Sequence, residues 1–138
     1  MSYTSTNGMF TYTITNNTNY VIEQLDYDII LSTFNRWESL VTIDTRFSSS
    51  HTITISYIID TLDTGVLGGA SITNSSYVDS YIFGNVIPLT ANITMNNTYL
   101  QGLKTTIRND GYSSYYHVLL HEIGHILGIG SFWYLTGC

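Results

Sequence analysis

The chain has 138 residues, the size of one modest domain able to bury roughly two-thirds of the surface its unfolded form exposes. Hydrophobic residues make up 43% and aromatic residues 14%, enough for a packed core, so the chain is not a disordered tail. Ten acidic residues against four Lys and Arg give a net charge of -6, which argues against nucleic acid as a partner, because no phosphate-neutralising face can be built.

The polar surface must come from Thr, Ser, Asn and Tyr, since only 10% of residues are charged. That composition suits an extracellular or virion-associated protein. The single cysteine, Cys138, allows neither an intrachain disulfide nor a cysteine-based zinc site. No signal peptide is expected from MSYTSTNGMFTYTITNN, and no membrane span, as no apolar run reaches about 18 residues. Sequons start at Asn16, Asn74, Asn92 and Asn96, as a chain this rich in Asn, Ser and Thr produces by chance.

In chain order, Met9 to Thr15 alternates Phe10, Tyr12 and Ile14 with threonines and predicts a half-buried strand. From Tyr20 to Val41 apolar residues recur at three and four, with Glu23, Asp26, Arg36 and Glu38 between them, which predicts a helix. Phe34 and Trp37 share helical spacing with Ile30 and Val41 and read as core. His51 to Ile59 alternates again and is dense in β-branched residues, so it predicts a strand. Gly65, Gly68 and Gly69 mark a loop or a strand with close backbone approach, and Gly68 to Ser71 reads as an edge strand or a hairpin turn. Tyr77 to Ile87 and Asn92 to Met95 predict short strands on either side of Pro88. After Asn109, Asp110 and Gly111, a last helix runs from Ser113 to Leu127 and stops at Gly128. No repeat, charge block or linker divides residues 1–138, so the expected fold class is α+β in a single domain.

The last helix contains HEIGH. His121 and His125, four apart, lie on one helical face and can aim their ring nitrogens at a common point. Glu122 is turned by roughly 100° from His121, which sets its carboxylate beside a bound ion rather than on it. Zinc lowers the pKa of a bound water to about 7, and a neighbouring carboxylate can act as its general base. Val118, Leu119, Leu120, Ile123, Ile126 and Leu127 make the rest of the helix apolar, so it must be buried. There an unligated His-Glu-His cluster would cost several kcal/mol. Gly124, about 1 kcal/mol worse than Ala in a helix, signals close packing. Two core histidines satisfied by backbone carbonyls are the plain alternative, disfavoured because the chain contains so few His and Glu.

HEIGHILGIGSFW, His121 to Trp133, resembles the active helix of metzincin-type zincins, H-E-x-x-H-x-x-G-x-x-H, matching at His121, Glu122, His125 and Gly128. The third histidine of that signature would fall at Ser131. Leishmanolysin-like zinc metallopeptidases share H-E-x-x-H-x-x-G and bring their third histidine from much farther along. Phe34 to Glu38, FNRWE, and Val66 to Ala70, VLGGA, are similar to further segments of a bacterial and viral branch of that group.

The resemblance implies a zincin-like N-terminal subdomain: a twisted mixed β-sheet, a backing helix and a C-terminal active-site helix. It implies Zn2+ as cofactor, His121 and His125 as ligands, Glu122 as general base and a peptide or protein as substrate. The C-terminal subdomain with the third ligand and Met-turn would be missing, because IGSFWYLTGC after Gly128 holds no His or acidic residue. Ser131 is not a usual zinc ligand. His117 is the remaining local candidate, but three histidines at four-residue steps form a line, which closes poorly on one tetrahedral ion. His51, on a predicted strand, reads as structural. Tyr112, Tyr115 and Tyr116 read as rim residues or as a substrate or partner surface.

Two other roles compete with the peptidase. A catalytically inactive zincin-derived protein could build a virion, filament or surface layer through self-assembly, or a partner chain could complete the metal site.

Overall fold

The computed structural model describes residues 2–4, 10–16, 22–39, 51–81 and 84–127. Five strands and three helices follow in the order β1 (Ser2–Thr4), β2 (Phe10–Asn16), α1 (Gln24–Ser39), β3 (His51–Asp60), β4 (Gly68–Tyr81), β5 (Gly84–Asn96), α2 (Asn97–Thr105) and α3 (Ser114–Ile126). The fold is α+β. Its mixed sheet has the strand order β1-β2-β3-β5-β4, parallel across β2, β3 and β5 and antiparallel at both edges.

The period-2 alternation of the strands puts one set of side chains against the helices. In register, Tyr12 sits opposite Ile53, Ile14 opposite Ile55, Ile55 opposite Ala91 and Tyr57 opposite Ile93. All of these are buried, and with Met95 they form the sheet's contribution to the core. The intervening residues are Thr, Ser and Asn and are partly or fully open to solvent, as alternation requires when one face meets water.

Helix α1 adds Ile30, Leu31 and Phe34 to this core, the Phe34 ring stacking on Tyr12 at 3.8 Å between centroids. Helix α3 adds Tyr115, Leu119, Ile123 and Ile126. Fully burying each such side chain stabilises by roughly 1.5–3 kcal/mol, so these rows fix both helices to the sheet.

Several expectations shift by a residue or two. The first strand spans Phe10–Asn16, and the helix expected from Tyr20 to Val41 covers Gln24–Ser39, with its outermost residues outside the described set. Asp26 and Glu38, taken from periodicity as members of a polar face, are instead buried. Tyr12 Oη donates to Glu38 Oε1 at 2.8 Å.

The two short strands expected around Pro88 are one strand, β5, paired along its length with β4. Pro88 does not end the strand: β3 joins β5 only from Thr90 onward, so the missing N–H falls where a single neighbour is paired, and the β4–β5 register shifts there, with Asn74 opposite Thr90 and Ser75 opposite Pro88. Tyr77 belongs to β4. Helix α2, which the pattern did not reveal, is nine residues long with Gly102 inside it, too short for a clear period.

Asn96 starts α2. Its Oδ1 accepts from Thr98 N at 3.1 Å, while Nδ2 donates to Val66 O at 2.7 Å and reaches Leu62 O and Asp63 O at 3.4 Å. Completely buried, Asn96 is closed to glycosylation in this fold, whereas Asn16 and Asn74 are exposed.

Candidate metal centre

Helix α3 begins where Ser113 Oγ accepts from Tyr116 N at 3.0 Å, a side-chain cap with the extended backbone that an N-cap needs. Ahead of it a closed turn runs from Ile107 to Ser113, which pair as an isolated bridge. Arg108 N donates to Tyr112 O at 2.8 Å and Gly111 N to Arg108 O at 2.9 Å, and Gly111 takes φ +87°. A side chain is rarely found at that φ, which accounts for the glycine.

The first turn and the middle of α3 are held by its neighbours. Trp37 Nε1 of α1 donates to Leu120 O at 2.8 Å, on the residue before His121. At the first turn, Tyr115 Oη donates to Asp26 Oδ1 at 2.6 Å and lies 2.5 Å from Tyr57 Oη. Lys104 Nζ of α2 completes the cluster 2.9 Å from Asp26 Oδ1, and Glu23 N donates to Asp26 Oδ2 at 2.9 Å. All four elements α1, β3, α2 and α3 meet at these groups. Tyr115 and Tyr116, read from sequence as rim residues or a contact surface, are buried, and only Tyr112 is exposed, stacked on Tyr116 at 4.3 Å.

Held in this way, α3 brings three of the expected residues together. His121 Nε2 and His125 Nε2 lie 3.2 Å apart with their rings at 76°. Two nitrogens each about 2.05 Å from a tetrahedral zinc would be about 3.3 Å apart, close to the separation of this hydrogen-bonded pair. Glu122 Oε1 is 4.0 Å from His121 Nε2, and one ligand atom from each of the three residues fits within 4.8 Å. The group could hold a metal.

Burial differs within the group. The side chain of His121 is 46% exposed, whereas that of Glu122 is 10% exposed. Burial, and secondarily the charge on His125, holds the His121 imidazole below the usual histidine range, favouring the neutral form that binds metal. Burial pushes the Glu122 carboxyl up, which makes it a better proton acceptor once ionised.

His117 lies elsewhere. Its Nε2 is 2.8 Å from Asp110 Oδ2, off the line of a well-formed hydrogen bond, and the metal-capable group does not include it. His51 opens β3 opposite Phe10. Gly128, Ser131 and Cys138 lie outside the described residues. Among the described residues no further His, Cys, Asp or Glu joins His121, Glu122 and His125.

A cleft of about 420 Å³ opens over this helix, lined by Leu67, Gly68, Arg108, His117, Val118, His121 and Glu122. Gly68, the first residue of β4, packs closely on β5 at the rim of this cleft. A Cβ there would meet Thr94 O at 2.9 Å, Met95 Sδ at 3.0 Å and Val118 Cγ1 at 3.6 Å. Glycine in the VLGGA stretch hinted at such an approach, but nothing in the sequence pointed to Arg108. No helix among the described residues is long and apolar enough to cross a membrane. No protein-family model matches the chain, and neither a curated protein nor a solved structure matches it.

Proposed function

We propose that the chain carries the ligand pair and general base of a zinc-dependent endopeptidase of leishmanolysin-like type, in a zincin-like N-terminal subdomain. The observation that carries this reading is the 3.2 Å approach of His121 Nε2 and His125 Nε2, with His121 and the carboxylate of Glu122 on the wall of an open cleft. A bound zinc would polarise the scissile carbonyl and stabilise its developing negative charge.

The chain's own residues do the remainder. His121 and His125 hold the ion, and Glu122 takes a proton from the attacking water and passes it to the leaving amine. Its apolar surroundings raise its proton affinity toward the range where both transfers are efficient. Among the described residues strand β4 is bonded in the sheet only to β5, so its outer edge can align an extended peptide by strand addition, from Gly68 at the cleft outward. The third ligand comes from outside the described residues, from the same polypeptide or from a partner chain.

The test uses the longest natural form of the protein, with zinc measured by elemental analysis and cleavage followed on an unfolded protein substrate. One zinc per chain is expected, lost in His121→Ala. Glu122→Gln should keep the zinc and slow cleavage by about 10²–10⁴-fold. Protein free of zinc, with no effect of Glu122→Gln, would leave the structural, assembly-building role.

A further inference from the structure

We propose that Arg108 is the carboxylate anchor of the cleft, and that the preferred peptide carries an anionic group, an acidic side chain or its own C-terminus, at the position facing this guanidinium. The inference rests on the peptide-binding reading of the cleft and adds the chemistry of its ligand.

Arg108 lines the same cleft as His121 and Glu122. Its backbone is held on both sides, by the bond from its N to Tyr112 O and the bond to its carbonyl from Gly111 N. Its Nε donates to Ser114 Oγ at 3.3 Å, which orients one edge of the guanidinium and leaves the two terminal nitrogens, with four N–H groups, for a ligand.

No acidic residue is paired with it among the described residues. Asp110 is the obvious neighbour, two residues on, and both its oxygens are engaged: Oδ1 accepts from Tyr112 N at 2.9 Å, and Oδ2 faces His117 Nε2 at 2.8 Å. The same turn therefore fixes the Arg108 backbone and gives the Asp110 carboxylate other contacts. By contrast, Lys104 is buried against Asp26 and unavailable to ligands. In a chain of net charge -6, Arg108, with no ion-pair partner among the described residues, adds a positive charge to a cleft that also holds the Glu122 carboxylate, and disfavours a cationic group beside it. Its planar fork matches a carboxylate with two parallel hydrogen bonds.

The test measures binding of dye-labelled peptides to the full, zinc-supplemented chain by fluorescence anisotropy. One arm scans a single Glu through a C-terminally amidated peptide, with Gln at each position as control. A second arm uses a peptide without acidic residues, carrying either a free or an amidated C-terminus. In one of these arms the carboxylate form should bind about tenfold more tightly than its neutral counterpart, the scale of one charge-assisted contact. Arg108→Gln should abolish the preference, and Arg108→Lys should keep part of it. A wild-type protein indifferent to the carboxylate in both arms, or a preference that survives Arg108→Gln, would overturn the proposal. Zinc content of the same samples separates the two readings. A preference that depends on Arg108 in a zinc-free protein sinks the peptidase and keeps the anchor, while bound zinc without a preference sinks the anchor alone.

Discussion

The indole Nε1 of Trp37 donates to the carbonyl oxygen of Leu120 at 2.8 Å, tying α1 to the residue next to His121 across 83 positions of chain. That carbonyl lies within α3, so the bond sets the helix's rotation as well as its distance. Trp37→Phe keeps most of the ring's packing and removes the donor. It should cost about 1 kcal/mol in urea denaturation. If the proposed site holds zinc, its affinity should fall with it, because His121 and His125 lose a fixed support, and a titration of the variant with zinc measures that loss.

Gly68→Ala tests the close packing of β4 on β5 at the rim of the cleft. The new methyl would stand 2.9 Å from the carbonyl oxygen of Thr94, a backbone atom that cannot swing aside. The variant should lose about 1–3 kcal/mol, the usual cost of overpacking, read from its urea midpoint. Gly69→Ala serves as the control, since a Cβ there meets nothing within 4 Å.

Asn96 divides its side chain between two tasks, so two substitutions separate them. Asn96→Ala removes the cap of α2 and orphans the carbonyls around Leu62 to Val66, and should cost about 2–3 kcal/mol in thermal or urea unfolding. Asn96→Asp retains the acceptor for Thr98 N but loses every donor to the loop. If Asp matched the wild type, the loop contacts would carry no stability.

Tyr115 makes folding sensitive to alkali. Burial, then the nearby Tyr57 and Asp26, push its hydroxyl far above the ordinary tyrosine range, while Lys104 lies over its ring at 5.3 Å. In the unfolded chain it ionises near pH 10. Below that pH both states keep the proton, and its contribution to stability is fully present. Above it only the unfolded state releases the proton, so stability falls as pH rises. Urea midpoints at pH 8 to 11 should decline more steeply for the wild type than for Tyr115→Phe. The variant should also be about 1–3 kcal/mol less stable at pH 8, because Asp26 and Tyr57 lose a partner.

The legible parts of this chain are those whose signal is local. Tyr12 and Ile14 alternate with threonines, as do Ile53 and Ile55, and a period of two can be read without knowing which strand lies alongside. Pro88 misled for the complementary reason: whether a proline ends a strand depends on whether a neighbour needs its N–H, and β3 begins pairing two residues later. Asp26 and Glu38 look like surface residues because periodicity sees only their own helix, while Lys104, Tyr115 and Tyr12, which bond to them, come from distant segments.

His121, Glu122 and His125 were placed by sequence alone, because a four-residue step on an α-helix brings two side chains to one face whatever the rest of the fold does. The helix, its burial and the common target of the two imidazoles follow from that local geometry and the apolar residues around it. Only the tertiary structure decided what surrounds them: Gly68 packed on Thr94 and Met95 at the rim, Trp37 bonded to the backbone at Leu120, and Arg108 in the cleft with no ion-pair partner among the described residues. Those neighbours are joined through strand pairing and helix packing across tens of residues, a relation that no short-range period encodes.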